Sequence, residues 1–228
     1  KPENDRKNIE NMIKWYCEAF KDNESVNLIL KTNSGRCSLA DRDRTLKRVQ
    51  AIVNKVRIGK YPSIDILHGN LSSEEIAKLF KDNKVKCLLS ATRGEGYGLP
   101  LVDAAATSMP VVVPPYSGHM EFLEEENICS LNYKLCDIPE NRIDERIFIK
   151  GSKWAEVDGQ DFKNKIASFI ACLCSFLSLP TTTFGWLLES KDLFRKLSIF
   201  VTLTSFGIAS RIIIFLPISV TIPICEKL

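Results

Sequence analysis

Residues 91–115, ATRGEGYGLPLVDAAATSMPVVVPP, decide the fold of this chain. The apolar run at 85–90 before them and Val111–Val113 at their end are typical of short strands buried on both faces of a parallel sheet. Between these strands lie three glycines, then Pro100 at the start of an alanine-rich helix predicted over 101–108. Because loop amides and the positive end of a helix converge here, this unit predicts an anion site.

Two carboxylates flank the predicted anion site. Glu95 lies in the glycine loop, and Asp103 follows eight positions later in the helix. Carboxylate oxygens accept hydrogen bonds, so they recognise hydroxyl groups well. Together with an anion site they fit a sugar, a diphosphate and a ribose laid end to end. On spacing alone, an ordinary strand–loop–helix turn with two solvated acids remains an equal alternative.

The run EGYGLPLVD at 95–103 resembles the Glu-x7-Glu motif of retaining GT-B glycosyltransferases of the glycogen-synthase and sucrose-synthase type. The usual family wording is close to EGFGLPxLEAMAxGxPV, and this chain continues with AAA at 104–106 and MPV at 109–111. The agreement spans some twenty positions. The chain departs from the family at Asp103, which is one methylene shorter than the usual glutamate.

The resemblance implies a nucleotide-diphosphate sugar as substrate, with no metal and no further cofactor. Glu95 would hold hydroxyls of the donor sugar, and Asp103 would hold the ribose. Glu95 and Lys7 would be the catalytic residues. The full set of donor-binding residues implied is Arg6, Lys7, Glu95, Gly96, Tyr97, Gly98, Leu99 and Asp103.

The N-terminal run DRKN at 5–8 resembles the family segment that brings a basic residue to the diphosphate. A diphosphate leaving group needs compensating positive charge as the glycosidic bond breaks. Arg6 and Lys7 would supply that charge together with the backbone amides of Gly98 and Leu99. The alternative is that Arg6 and Lys7 are solvated charges beside a helix start.

Three further segments resemble the same family. HGNL at 68–71 resembles the loop that borders the nucleotide base, and we assign His68 no chemistry, since a lone loop histidine is commonly bonded to backbone. SGHMEF at 117–122 resembles the segment that faces the cleft after the last buried strand. KWAEVD at 153–158 resembles the run leading into the last helix, with Trp154 as a structural anchor.

Strands alternate with helices over the first 166 residues, which predicts an α/β fold. Helices are predicted over 8–20 and 39–56, and another is capped by Ser72 or Ser73. The expected architecture is a Rossmann-like, doubly wound, mostly parallel sheet. By resemblance, residues 1–166 would be one half of a GT-B fold, its donor-binding domain.

Composition excludes several classes of function. The chain has 228 residues, 45% of them apolar, and a net charge of +3 without a concentrated basic face, so we expect no nucleic-acid partner. Its eight cysteines are scattered without CxxC pairs. They predict a reducing compartment, no zinc site and no disulfide framework. The first residues do not resemble a signal peptide, and we expect a cytoplasmic protein.

Residues 167–228 are predicted to form a separate apolar tail with only eight charged side chains. The stretch 197–225 is long enough for a membrane span of about twenty residues. Arg211 in its middle costs about 2.5–3.5 kcal/mol on insertion, which the apolar residues barely offset. Three interpretations stay open: a weak membrane anchor, giving membrane contact through 197–225; a helical hairpin packed on the domain; and an out-of-frame segment.

The sequence therefore predicts a glycosyltransferase donor-binding domain that transfers a sugar with retention to an unknown glycan, lipid or protein acceptor. The N-terminal acceptor-binding GT-B domain is expected to be missing, so the chain alone would bind donor without turnover. A non-catalytic nucleotide-sugar-binding or docking module, associated with a membrane, is the alternative. An NAD-type oxidoreductase is disfavoured, because GEGYG does not follow the first strand as GxGxxG.

Overall fold

The computed structural model describes residues 5–32, 37–56, 60, 62–177, 210–215 and 224–227. In these residues the chain is an α/β protein with a seven-stranded sheet, a separate two-stranded sheet and five α-helices. The elements in chain order are α1 (Ile9–Ala19), β1 (Val26–Lys31), α2 (Leu39–Val56), β2 (Ser63–His68), α3 (Ser73–Lys81), β3 (Val85–Leu89), α4 (Leu99–Ala106), β4 (Val111–Val113), β5 (Cys129–Ser130), β6 (Tyr133–Asp137), β7 (Lys153–Val157), α5 (Gly159–Leu177), β8 (Ser210–Phe215) and β9 (Ile224–Lys227).

The large sheet has the strand order β5-β4-β3-β8-β1-β2-β9. All neighbouring strands in it are parallel except β2 and β9, which are antiparallel. Parallel neighbours place the carboxyl ends of their strands at one edge. The glycine loop after β3 and the segment after β4 therefore start side by side.

Helices cover both faces of this sheet, as expected for strands such as β1 that are buried along their whole length. Successive residues of a strand point to opposite faces. Leu28 and Leu30 pack in a cluster with α1, α2 and α5, whereas Ile29 packs in a second cluster with α3 and α4. In β3, Cys87 and Leu89 belong to the first cluster and Leu88 to the second.

The predicted α/β alternation is confirmed, with differences at element ends. Helix α2 spans the predicted residues, but α4 begins two residues before its predicted start. Gly98 is its N-cap, with a φ of 86° that suits glycine, so the helix can begin at Leu99 with Pro100 in its first turn. After β4, the chain forms a pair of 3₁₀ turns, Gly118–Glu121 and Glu125–Asn127.

The run at 153–158 does lead into the last helix, but it does so as a strand. Strand β7 pairs antiparallel with β6 and forms the separate two-stranded sheet. Trp154 in β7 is buried, in agreement with its predicted role as an anchor. This pairing joins residues some twenty positions apart, and no turn signal in the sequence indicated it.

In the described parts of the C-terminal region, two strands lie beyond residue 166, where a separate apolar tail was predicted. Helix α5 runs across that point, β8 lies between β1 and β3, and β9 pairs with β2. The isoleucine-rich run in β8 has high β-propensity, which favours a strand over a helical hairpin at 210–215. Much of the predicted tail, at 178–209 and 216–223, lies outside the described residues. The position of the boundary between the domain and the tail stays a prediction.

Among the residues that the structure describes, no helix has both the length and the apolar character needed to cross a bilayer. Of the stretch 197–225 that was considered for membrane contact, only 210–215 and 224–225 are described, and both are extended.

The start of α3 allows a direct test of helix capping. Ser72, not Ser73, is the N-cap: its hydroxyl accepts from the amide of Glu75, whose carboxylate accepts from the amide of Ser72. We expect Ser72→Ala to lower the free energy of unfolding by about 1 kcal/mol. Ser73→Ala, one residue along and equally exposed, is the control and should change it little. Equal effects in urea unfolding would contradict this assignment.

Candidate functional site

The candidate site lies at the carboxyl end of β3, where the glycine loop turns into α4. A pocket there is lined by side chains or backbone of Lys7, Leu88, Ser90, Glu95, Gly98, Pro100 and Leu101. The lining combines one cation, one carboxylate and the start of a helix with the apolar end of a strand. Such a mixture suits a polar ligand that carries negative charge.

The backbone of Glu95 is clamped by the segment that follows β4. The amide of Glu95 donates to Ser117 Oγ at 2.7 Å, and the amide of Gly118 donates to the carbonyl of Glu95 at 3.1 Å. A Cβ atom on Gly118 would lie 1.9 Å from the carbonyl oxygen of Gly96. Only glycine at 118 therefore lets the two loops approach this closely.

The side chain of Glu95 is held by both basic residues of the N-terminal segment. Arg6 Nη1 donates to Glu95 Oε2 at 2.9 Å, and Lys7 Nζ donates to Glu95 Oε1. Arg6 also donates to the carbonyl of Gly94. The Glu95 side chain is only 7% exposed, so these contacts satisfy a carboxylate that has left water.

Burial and pairing act against each other on the two central groups. Burial raises the pKa of Glu95, but Lys7 and Arg6 together outweigh burial and hold that pKa below its ordinary value. Burial lowers the pKa of Lys7, and the attraction of Glu95 only partly reverses this. Glu95 is therefore ionised at neutral pH. Its charge stabilises the folded chain above pH about 4, and this contribution is lost as the pH falls through the lowered pKa.

The first turn of α4 leaves backbone donors available. Leu101 and Val102 donate to the carbonyl of Gly98, and Pro100 has no amide hydrogen. The amides of Gly98 and Leu99 have no hydrogen-bond partner in the part of the chain that the structure describes. The positive end of the helix dipole adds to their attraction for an anion.

The segment that carries Arg6 and Lys7 is docked on the residues just before the glycine loop. The amide of Arg93 donates to the carbonyl of Arg6 at 2.8 Å. Asn8, buried and in the left-handed region with a φ of 58°, ends the segment and caps α1. This tight turn fixes Lys7 directly beside the site.

His119 is buried beneath the glycine loop. Its Nε2 lies 2.8 Å from the carbonyl of Pro114, which can only accept, so Nε2 carries a proton. Its Nδ1 has no hydrogen-bond partner among the described residues. Burial lowers the pKa of His119, and the ring is therefore neutral at pH 7. We assign it a packing role against Gly98.

The structure brings together Arg6, Lys7, Glu95 and Gly98, four of the residues named from the sequence. The other predicted residues lie around this group. Tyr97 is 51% exposed and packs on Phe122, with ring centroids 5.0 Å apart, and Leu99 is 67% exposed. Gly96 contributes the carbonyl that lies against Gly118.

Asp103 lies on α4 outside the set of pocket-lining residues. Its side chain has no hydrogen bond or ion pair within the part of the chain that is described. Burial raises the pKa of Asp103, although the residue is largely exposed. The carboxylate is therefore available to a ligand that extends along α4 from the pocket.

Sequence reasoning missed three residues that build the site: Ser117, Gly118 and Arg93. All three lie in the quoted motifs, but their partners are distant in sequence. The interpretation of His68 was also incomplete. Its Nε2 lies 3.2 Å from the carboxylate of buried Asp41 instead of bonding to backbone. Within the described residues, no group of His, Cys, Asp and Glu is placed to hold a metal ion.

Because the two loops are in close contact at Gly118, a single methyl group added there should strongly lower the stability of the fold. We expect Gly118→Ala to lower the free energy of unfolding by about 1–3 kcal/mol, because the new Cβ would collide with a backbone carbonyl. Gly96→Ala is the matched control, since its Cβ would meet nothing within 4 Å. Chemical denaturation of both variants measures the difference. Equal stability of the two would contradict the close packing of these loops.

Part of this chain is similar to a known protein family. The sequence profile of glycosyl transferases group 1 matches residues 63–134. This range contains Glu95, Gly98, Asp103 and the clamp at 117–118, while Arg6 and Lys7 precede it. No curated protein and no solved structure matches the chain. Residues 63–134 of this chain are therefore similar to the glycosyl transferases group 1.

Proposed function

We propose that this chain is the donor-binding domain of a retaining GT-B glycosyltransferase, which transfers a sugar from a nucleotide-diphosphate sugar. In this proposal the large sheet is one doubly wound half of the GT-B fold. The observation that carries the proposal is the contact of Glu95 with Arg6 and Lys7 at the start of α4. The family of residues 63–134 supports transferase activity and a nucleotide-sugar donor.

The diphosphate would lie between the start of α4 and the N-terminal segment. The amides of Gly98 and Leu99 would donate to its oxygens, and Lys7 and Arg6 would neutralise its charge. A buried cation is costly unless a counter-charge is present. When no nucleotide sugar is bound, Glu95 supplies that counter-charge. With three charged groups in contact, the cluster retains one net positive charge for the diphosphate.

Glu95 would hold the donor sugar at the same time. An ionised carboxylate has about four lone-pair positions, and Arg6 and Lys7 each use one. The remaining positions can accept hydrogen bonds from sugar hydroxyls. The backbone clamp by Ser117 and Gly118 fixes the direction of this side chain, so that the sugar is oriented before reaction.

The nucleoside would extend along α4, where Asp103 would accept hydrogen bonds from the ribose hydroxyls. Its carboxylate is exposed and has no partner among the described residues, so it is accessible for this role.

In the proposed reaction the bond between the anomeric carbon and the diphosphate oxygen breaks, and the diphosphate leaves with the electron pair. The acceptor hydroxyl oxygen bonds to the same face of the anomeric carbon, and its proton passes to the departing diphosphate oxygen. Lys7, Arg6 and the two amides would stabilise the charge that develops on the leaving oxygen, which is the largest contribution that such a site can make. The acceptor is a glycan, lipid or protein hydroxyl.

The role of Glu95 is tested by Glu95→Gln. We expect the variant to lose at least about tenfold in affinity for a nucleotide sugar, since a hydrogen bond to a charged group contributes about 1.5–3 kcal/mol. Affinity for the bare nucleoside diphosphate should hold or rise, because Arg6 and Lys7 lose their counter-charge. Calorimetry with UDP-glucose, GDP-mannose and ADP-glucose, beside UDP, GDP and ADP, measures both affinities.

Glu125→Gln, at an exposed position in the second 3₁₀ turn, is the matched control and should leave all affinities unchanged. Equal losses for nucleotide sugar and bare nucleotide in Glu95→Gln would remove the sugar contact from the proposal. A wild-type chain that binds none of the six probes would overturn the proposed function.

The role of Asp103 is tested by a pair of substitutions. We expect Asp103→Asn to weaken the binding of a nucleoside diphosphate about tenfold, because a neutral amide accepts hydrogen bonds from ribose less strongly. Asp103→Glu restores the charge and the side-chain length found in the related enzymes, so it should retain or improve affinity. The 2′,3′-dideoxynucleoside diphosphate is the control ligand, and it should bind all three proteins alike. Similar loss with that ligand would argue against ribose contact.

A further inference from the structure

Arg93 lies outside the proposed donor contacts, yet it is the most extensively bonded side chain beside the site. It directly precedes Gly94 in the glycine loop, and it is only 3% exposed. A buried guanidinium is costly unless its donors are all paired. The acceptors of these donors show which segments of the chain Arg93 joins.

The guanidinium joins two separate parts of the chain. On one side Nε donates to Glu156 Oε2 at 2.6 Å and Nη2 donates to Glu156 Oε1 at 3.0 Å, which is a bidentate pair. On the other side Nη1 donates to the carbonyl of Asp5 at 2.6 Å. The ring of Trp154 lies 5.1 Å from the guanidinium carbon and packs on its face.

The backbone of Arg93 repeats these connections. Its amide donates to the carbonyl of Arg6 at 2.8 Å, and its carbonyl accepts from the amide of Ala155 at 2.8 Å. The segment 5–7 is therefore held to β7 through one residue. Lys7 contacts Glu95 in the position that this attachment sets.

We propose that Arg93 is a positioning residue that holds the segment of Arg6 and Lys7 against Glu95, and that Glu156 of β7 anchors it. The consequence for donor binding rests on the proposed function, because Arg93 would then set the affinity for the diphosphate without touching it. The hold on Lys7 itself does not depend on any ligand. Lysine cannot replace Arg93, since the planar fork reaches Glu156 and Asp5 together.

The test uses the full chain with four substitutions: Arg93→Gln, Arg93→Lys, Glu156→Gln and, as the control, Arg142→Gln. Arg142 lies over the ring of Phe148 at 5.9 Å and belongs to the loop between β6 and β7. It forms no described contact with segment 5–7. Its substitution therefore measures the effect of losing an arginine that does not contact this segment.

The first measurement follows the titration of Lys7 by NMR of ¹³Cε-labelled lysine, and it needs no nucleotide. In the wild-type chain burial keeps the pKa of Lys7 below the ordinary value, with Glu95, Arg6 and Asp5 as its charged neighbours. If Arg93 holds the segment, both Arg93 variants release Lys7 to water and its pKa rises to about the ordinary 10.4. Arg142→Gln should leave it in place. An unchanged Lys7 titration in the folded Arg93 variants overturns the proposal.

The second measurement compares affinities for a nucleoside diphosphate and for the matching nucleoside. We expect both Arg93 variants to lose about tenfold in diphosphate affinity while nucleoside affinity stays within about twofold. In a Lys7→Met background, Arg93→Gln should cost much less, because the group that it positions is gone. Full additivity of the two substitutions would assign Arg93 a general structural role and overturn the proposal.

Glu156→Gln decides the case in which the Arg93 variants fail to fold. The Glu156 side chain is 39% exposed, so its substitution is milder, and it should shift the Lys7 titration and diphosphate affinity in the same direction. No shift in Glu156→Gln would then overturn the proposal. If the wild-type chain bound no nucleotide, the proposed function would be wrong. The Lys7 titration would still test the role of Arg93, because it needs no ligand.

Discussion

The pairing of Glu95 with Arg6 and Lys7 is the interaction on which the site depends. It joins residues almost ninety positions apart: Lys7 and Glu95 line the pocket, and Arg6 contacts Glu95 beside it. Lys7 and Glu95 are both largely buried, and removal of either would leave an uncompensated charge. The glycine loop and the N-terminal segment therefore take up their positions together.

This mutual dependence has a consequence for binding. Before any ligand arrives, a carboxylate already neutralises part of the charge that the diphosphate would meet. The cations are held in place by this contact instead of extending into solvent, so less side-chain entropy is lost when a ligand binds. The same carboxylate keeps lone pairs for hydroxyl groups. One cluster can thus serve the phosphate end and the sugar end of a donor.

The surrounding fold supplies rigidity at this point. Strands β3 and β4 run in parallel and deliver the glycine loop and the 117–118 clamp to one edge. Arg93 ties the same loop to β7, outside the large sheet. Two separate segments, 5–7 and 117–118, therefore contact Glu95, and β7 is joined to the same loop through Arg93. Sites built on such supports keep their geometry better than sites on unsupported loops.

The sequence by itself determined the strand–loop–helix unit and the burial of both sheet faces, and it predicted Glu95, Lys7 and Arg6 as site residues. These follow from local patterns: apolar runs, glycine spacing, and motif residues next to a helix start. Only the tertiary structure decided that Ser72 caps α3, that Gly118 lies against Gly96, that β6 pairs with β7, and that β8 lies between β1 and β3. It also decided that Arg93 joins Asp5 to Glu156. Apart from the Ser72 cap, each of these features depends on contacts between residues that are distant in the chain. Packing of the whole core brings such residues together, so local sequence patterns do not predict these contacts.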